Sequence, residues 1–178
     1  MISLIILEKF EKIFKEEIPP ADVFQKLLPL LVEQLQCDRC FVYLREPKSR
    51  LGKAAFCFCR SDEFLDVTST EWKEEPPFLE DEDPMFGAAL RTDPTIFVED
   101  VETADPQVVK KEFERENFGH RALIHAHLCY ENQLWGVLQP CVFGDARQWS
   151  EKDRYLINWV TQKVTPVAVN YVKSELGI

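Results

Sequence analysis

The last third of the chain constrains the fold most sharply. Residues 121–129 and 134–143 are two runs rich in aliphatic and aromatic side chains, separated by the four residues 130–133. Two parallel strands would need a crossover of a dozen or more residues, so these runs must pair as an antiparallel hairpin. Ser150 then stands three residues ahead of Asp153, a capping-box spacing, and opens an apolar-periodic helix over about 151–174.

The rest of the chain repeats this grammar. Ile2, Ile6, Phe10, Ile13 and Phe14 recur at helical spacing with Glu8, Lys12 and Lys15 opposite, which predicts a helix over 2–17 ended by Pro19-Pro20. Asp22 is placed to cap a second helix reaching about Gln36, with Val23, Leu27, Leu30, Leu31 and Leu35 on its buried side and a kink at Pro29. Cys40, Val42 and Leu44 alternate with Arg39, Phe41 and Tyr43, a strand over 39–45. Turn chemistry at Glu46-Pro47-Lys48-Ser49 leads into a second strand over 53–60. Residues 61–83 are acidic, hold Pro76-Pro77 and end in Glu80-Asp81-Glu82-Asp83, so they read first as a solvated loop and second as an acidic docking segment. A short helix over 86–91, a short strand over 95–99 and a helix over 108–117 follow. Hairpins outnumber crossovers, which predicts an α+β fold: a mostly antiparallel sheet with the N- and C-terminal helices packed on one face. The domain division is a leading helix over 1–19 and one domain over 20–178.

Composition excludes several classes. With 46% hydrophobic and 12% aromatic residues in 178, the chain has the apolar mass for a real core and is not disordered. Thirty-one acids against 21 Lys and Arg give a net charge of −10, unsuited to a phosphate backbone, so no nucleic-acid partner is expected. No apolar run reaches the roughly 20 residues of a membrane span, and no basic segment precedes Ile5-Ile6-Leu7 as in a signal peptide. A cytoplasmic protein is therefore expected. Its six cysteines are then read as free thiols in a reducing compartment.

Four segments taken in order resemble the GAF domain family. They are Asp38-Arg39-Cys40-Phe41-Val42-Tyr43-Leu44, Ile96-Phe97-Val98-Glu99-Asp100-Val101, Asn132-Gln133-Leu134-Trp135-Gly136-Val137-Leu138 and Arg147-Gln148-Trp149-Ser150-Glu151-Lys152-Asp153. The resemblance spans about residues 20–172. It is strongest to the phytochrome-like and cyanobacteriochrome-like members, and the style of the sequence is similar to cyanobacterial ones. Gly136, between bulky strand neighbours, marks a bulge or a close backbone approach, and Trp135 is expected in the core.

The resemblance implies a small-molecule sensor, and it raises the question of a chromophore. Bilin-binding members attach the pigment through a Cys, commonly followed by His, on the helix before the late hairpin. The corresponding helix, 108–117, has neither. A second family attachment motif, Asp-x-Cys-Phe, is matched only by Asp83-Pro84-Met85-Phe86, and a thioether cannot form the bond. Covalent bilin attachment is not expected; no cofactor is predicted, and a non-covalent small ligand is the expected occupant.

All three histidines fall within eight residues: His120, His125 and His127. On a strand His125, His127 and Cys129 share a face. That pattern has two readings: polar lining of a ligand pocket, or a metal site with two imidazoles and a thiolate. Pocket lining is the preferred reading, with Phe56, Phe58, Phe97, His125, His127 and Cys141 as candidates. Cys37 and Cys40 are assigned to packing, and Cys57 with Cys59 to one side of their strand as candidate pocket walls. GAF-type reductases of free methionine sulfoxide use cysteine nucleophiles, but their motifs are not matched here. No phosphate loop or Ser-His-Asp arrangement stands out, so the chain is expected not to be an enzyme.

The terminal helices carry more apolar surface than a sheet needs. Ile6, Phe10, Phe14, Leu156, Trp159, Val160, Val167 and Tyr171 are the candidate faces of a homodimer. The sequence thus predicts a stand-alone module without its own output domain. It would bind a small molecule or a protein partner and pass the signal through those helices by population shift. The alternative is an interaction scaffold whose pocket is filled, and a thiol enzyme of the free methionine sulfoxide reductase kind ranks third.

Overall fold

A computed structural model describes residues 3–178; Ile2, placed above in the first helix, lies outside the described residues. Helix α1 (Leu4–Lys15) starts where the Ser3 hydroxyl accepts from the Ile5 amide. Helix α2 (Pro20–Leu35) begins with proline at its first turn, where the missing N–H costs nothing. Pro19 is its N-cap and no side chain caps it. Asp22, expected as the cap, instead sits inside the first turn, where its charge meets the helix dipole. The helix continues through Pro29 to Leu35.

Strands β1 (Arg39–Arg45) and β2 (Leu51–Cys59) form the first hairpin, closed by the Glu46 carboxylate, which accepts from the amides of Lys48 and Ser49. Strand β4 (Ile96–Val98), strand β5 (Ala122–Tyr130) and strand β6 (Gln133–Val142) complete the main sheet. The segment expected to be loop is partly ordered. Lys73–Glu74 is a short strand, β3, on Leu51–Gly52, and Leu79–Glu82 is a helical turn, α3. The sheet order is β3-β2-β1-β6-β5-β4, every pair antiparallel. Helix α4 (Pro84–Leu90) and helix α5 (Lys111–Asn117) lie on the loop side, and α6 (Glu151–Leu176) closes the chain. Helix α5 starts three residues later than the periodicity suggests. Val109 is drawn into a small cluster with Met85, Val98, Val101 and Leu123, and the Asp105 side chain takes the Gln107 amide as a turn.

The two faces of the sheet differ. Cys40, Val42 and Leu44 of β1 and Ala122, Ile124, Ala126 and Leu128 of β5 face α1, α2 and α6, forming the main core with Phe10, Phe24 and Leu156. Trp135 joins that core, and both halves of the Ser150–Asp153 capping box are present. Gly136 marks a close approach: a Cβ there would come 2.5 Å from the Tyr43 carbonyl oxygen, so no side chain fits. Of the candidate dimer residues, Phe10, Leu156 and Val160 are fully buried within the chain and are corrected to core. The first helix covers them itself: Phe10 and Phe14 meet the Trp159 ring edge-on, at 6.4 and 6.1 Å between centroids. Ile6, Phe14, Trp159, Val167 and Tyr171 remain half-buried. Among the described residues no helix is long and apolar enough to cross a membrane.

Candidate functional site

On the face away from α1, α2 and α6, the sheet and the α3–α5 layer frame a cavity of about 500 Å³ that opens to solvent. Its floor is Phe41 and Tyr43 of β1, His125 of β5, and Val137 and Gln139 of β6. Its roof is Leu79, Asp83 and Phe86 around α3 and α4, with Phe113 and Phe118 at α5. Two other hollows, about 560 Å³ beside β4 and about 670 Å³ beside α1, lie at the surface as well. Neither gathers buried polar groups as the sheet cavity does.

Aromatic walls arise from strand alternation. With Cys40, Val42 and Leu44 committed to the core, Phe41 and Tyr43 must point the other way. Phe41 stacks on Phe118 at 5.8 Å, and Tyr43 meets Phe86 edge-on at 6.2 Å. One end is pinned by a buried ion pair. Arg45 Nε and Nη2 donate to the two Glu75 carboxylate oxygens at 2.6 and 2.9 Å, and Arg45 Nη1 donates to the Leu134 carbonyl at 2.9 Å. The Tyr43 hydroxyl adds a bond to Glu75 at 3.0 Å. Burial and the Glu75 charge push the Tyr43 phenol above its ordinary range, so it stays a donor. This fork ties the segment after β3 to the sheet and explains why 61–83 is not simply loop.

Asp83 stands at the roof. Its carboxylate caps α4, accepting from the Met85 and Phe86 amides at 3.1 and 3.2 Å. Burial, and secondarily the Glu114 charge, pushes the carboxyl up to about 7. Glu114 is itself buried on α5 and meets His120 Nε2 at 2.5 Å.

The histidines form a relay whose protonation pattern follows from its end. His127 Nδ1 lies 2.6 Å from the Asp93 carbonyl oxygen, which only accepts, so this nitrogen carries the proton. Burial lowers the pKa of both rings, His125 well below its ordinary value, and keeps them neutral. His127 Nε2 is then an acceptor, and His125 Nδ1, 2.9 Å away, must donate to it. His125 Nε2 is left as a lone pair without a partner among the described residues, on a ring that lines the cavity. The cavity thus holds an acceptor whose tautomer is set by a backbone carbonyl two residues removed from contact with any ligand.

Of the six candidate pocket residues, His125 lines this cavity and His127 positions it from behind. Phe56 packs on the helix side, stacked on Phe24 at 5.0 Å and edge-on to Tyr171 at 5.2 Å. Phe58 follows it to that side and is 37% exposed. The cause is a bulge: Tyr43 opposes Ala54 but Val42 opposes Phe56, and the extra residue, Ala55, reverses the parity of β2. Phe97 opposes Ile124, hence faces the helices, with the Arg154 guanidinium 4.4 Å over its ring. Cys141 is on the cavity side but fully buried, between Arg39 and Leu123 in the ladder. Cys129 follows a register shift after Leu128 and packs with Phe86, Leu134 and Val137 instead of the histidines. Among the described residues no three His, Cys, Asp or Glu side chains form a metal-holding group, so His125, His127 and Cys129 are not one. No cysteine lines the cavity; Met85 of the Asp-Pro-Met-Phe segment is buried in the satellite cluster, while Asp83 and Phe86 reach the cavity.

The residues that sequence reasoning missed are Phe41, Tyr43, Gln139, Phe113 and Phe118. The alternation in β1 carried a signal for the first two; nothing local marked the others.

A six-stranded antiparallel sheet, backed by terminal helices and hollowed on its far face, defines an α+β domain of one recognisable class. The model of the GAF domain matches residues 19–164, and the chain belongs to that family. Among solved structures, the phycoerythrobilin-bound GAF domain from a cyanobacterial phytochrome superposes with a TM-score of 0.73 at 16% identity, covering 98% of each chain. The far-red absorbing dark state of JSC1_58120g3 with bound biliverdin matches at 0.71 and 14%, covering 94% of this chain and 98% of that one. The GAF domain of an Acinetobacter phosphoenolpyruvate-protein phosphotransferase matches at 0.70 and 11%, covering 95% of each. At these identities the likeness establishes the fold. No curated protein sequence matches the chain.

Proposed function

We propose that this GAF domain is a non-catalytic sensory module that binds a flat small molecule non-covalently in the sheet cavity. The observation that carries the reading is the cavity itself: about 500 Å³ walled by aromatic rings, with His125, Gln139 and Asp83 among its lining. A scaffold with a filled pocket has no use for such a hollow, and buried polar groups facing one are costly unless something completes their bonding. The lone pair of His125 Nε2 calls for a ligand bearing an N–H or O–H donor.

Structural neighbours with bound bilins make those pigments reasonable probes. Attachment through sulfur has no support, because the lining holds no thiol. Thiol catalysis has none either: burial pushes Cys37 and Cys57 up to about 12. The proposed partner is a second copy meeting through the terminal helices, where Leu4 and Ile5 are exposed and Leu4 shares a surface groove with half-buried Trp159.

The test is native mass spectrometry of the purified protein, before and after incubation with phycocyanobilin. The expected result is a bound mass that is lost on denaturation, leaves no zinc-fluorescent band, and is weakened at least tenfold by His125→Leu. Retention of pigment after denaturation would refute the non-covalent reading. Absence of any bound mass, from cells or after incubation, would favour the scaffold.

A further inference from the structure

Outside the cavity, two cysteines and an unpaired buried arginine lie together. Cys57 and Cys59 of β2 oppose Phe41 and Arg39 of β1, so both thiols fall on one face of the sheet. Their Sγ atoms are 3.9 Å apart, and both residues are half-buried. Cys59 lines a hollow of about 560 Å³ with residues 61–66, which gives the pair a route to solvent. Arg39, across the ladder from Cys59, is fully buried. Its Nη1 donates to the Leu65 carbonyl at 2.8 Å, while Nε and Nη2 have no hydrogen-bond partner among the described residues. Two carboxylates lie nearby: Asp38, engaged with Arg60 and the Phe143 amide, and Asp66, which the Arg39 charge stabilises and whose Oδ1 accepts from the Thr68 amide and hydroxyl. A buried cation with two idle donors is costly, and its surroundings should be able to supply further negative charge.

We infer that Cys57 and Cys59 form a two-coordinate site for a thiophilic monovalent cation, Cu(I), with Arg39 as the counter-charge of the complex. Uptake exchanges two thiol protons, released to solvent, for one copper ion. Two sulfur–copper bonds form and nothing is oxidised or reduced. Two thiolates and one monovalent cation carry a net single negative charge, which the guanidinium neutralises. Soft thiolates select Cu(I), and with bonds of about 2.3 Å, the zinc–thiolate length, a linear complex sets its sulfurs about 4.6 Å apart, so the pair opens from its present 3.9 Å on binding.

Zinc is a poor fit, because it takes four ligands and no group of three or more donor side chains assembles among the described residues. Burial raises Cys59 and pushes Cys57 up to about 12, while the Cys57 thiol and Arg39 pull Cys59 the other way, so both thiols hold their protons until the metal displaces them. Because protons leave as copper binds, affinity should rise with pH.

The test is an anaerobic titration of the reduced full chain with Cu(I) in competition with bicinchoninate, with X-ray absorption on the product. One equivalent should bind with sulfur alone in the first shell. Cys57→Ser and Cys59→Ser should each weaken it at least a hundredfold, while Cys129→Ser leaves it unchanged. Circular dichroism of each variant confirms that it is folded, and Cys57→Ala replaces any that is not. The proposal is overturned if the wild type holds no more copper than Cys57→Ser. It is equally overturned if Cys129→Ser loses the ion, or if the titration yields a copper-free chain lighter by two hydrogens.

Discussion

Replacing Asp83 with asparagine separates the charge of that side chain from its capping role. Asparagine caps as well as aspartate, so the bonds from the Met85 and Phe86 amides survive. What changes is the cost of ionising a carboxyl that is 8% exposed in the folded chain. Its pKa is raised from 3.8 to about 7, so the folded state holds a proton that the unfolded chain has released. The sign follows: stability from the neutral carboxyl is complete below about pH 4, falls as pH rises, and is gone above about pH 7. A rise of roughly three units at about 1.4 kcal/mol each sets a ceiling near 4 kcal/mol. Asp83→Asn should therefore match the wild type at about pH 4 and exceed it by about 2–4 kcal/mol at about pH 8. Urea denaturation followed by tryptophan fluorescence at the two pH values measures the difference. A gap that is the same at both, or one that favours the wild type at the higher pH, refutes the argument that Asp83 is held in an ionisation-resistant site.

Other positions give sharper structural tests. Glu75→Gln strands the buried Arg45 guanidinium and should cost about 3–5 kcal/mol in denaturant melts, whereas Arg45→Met with Glu75→Leu should recover most of it. Gly136→Ala drives a methyl into the Tyr43 carbonyl oxygen and should destabilise by about 3 kcal/mol, with loss of ordered β1–β6 amides in hydrogen exchange. Light scattering should give twice the 20.8 kDa chain mass if the terminal helices pair, and Leu4→Lys with Ile5→Lys should return the monomer.

How much of this was legible in the sequence varies by element. The late hairpin and closing helix were, because a four-residue gap and a capping box leave a chain few alternatives. The antiparallel sheet and its helical face followed from hairpins and from the alternation in β1 and β5. Short β3 was not legible, since two residues have no period; a buried ion pair thirty residues apart in sequence holds that segment in place. The cavity was only partly legible. Phe56 and Phe58 have the right chemistry, yet one extra residue at Ala55 turns them toward the helices.

By itself, the sequence determined what depends on near neighbours: helical and strand periods, caps, turns, and a glycine where a backbone passes close. Tertiary structure alone decided which side of the sheet each aromatic serves, because a bulge resets parity with no local mark. It also decided what the histidines are. Their spacing permitted a metal site, but a carbonyl from Asp93 fixes the proton on His127, and through it the lone pair that His125 holds in the cavity. Such a hydrogen bond joins residues far apart in the chain, and only folding brings them within reach.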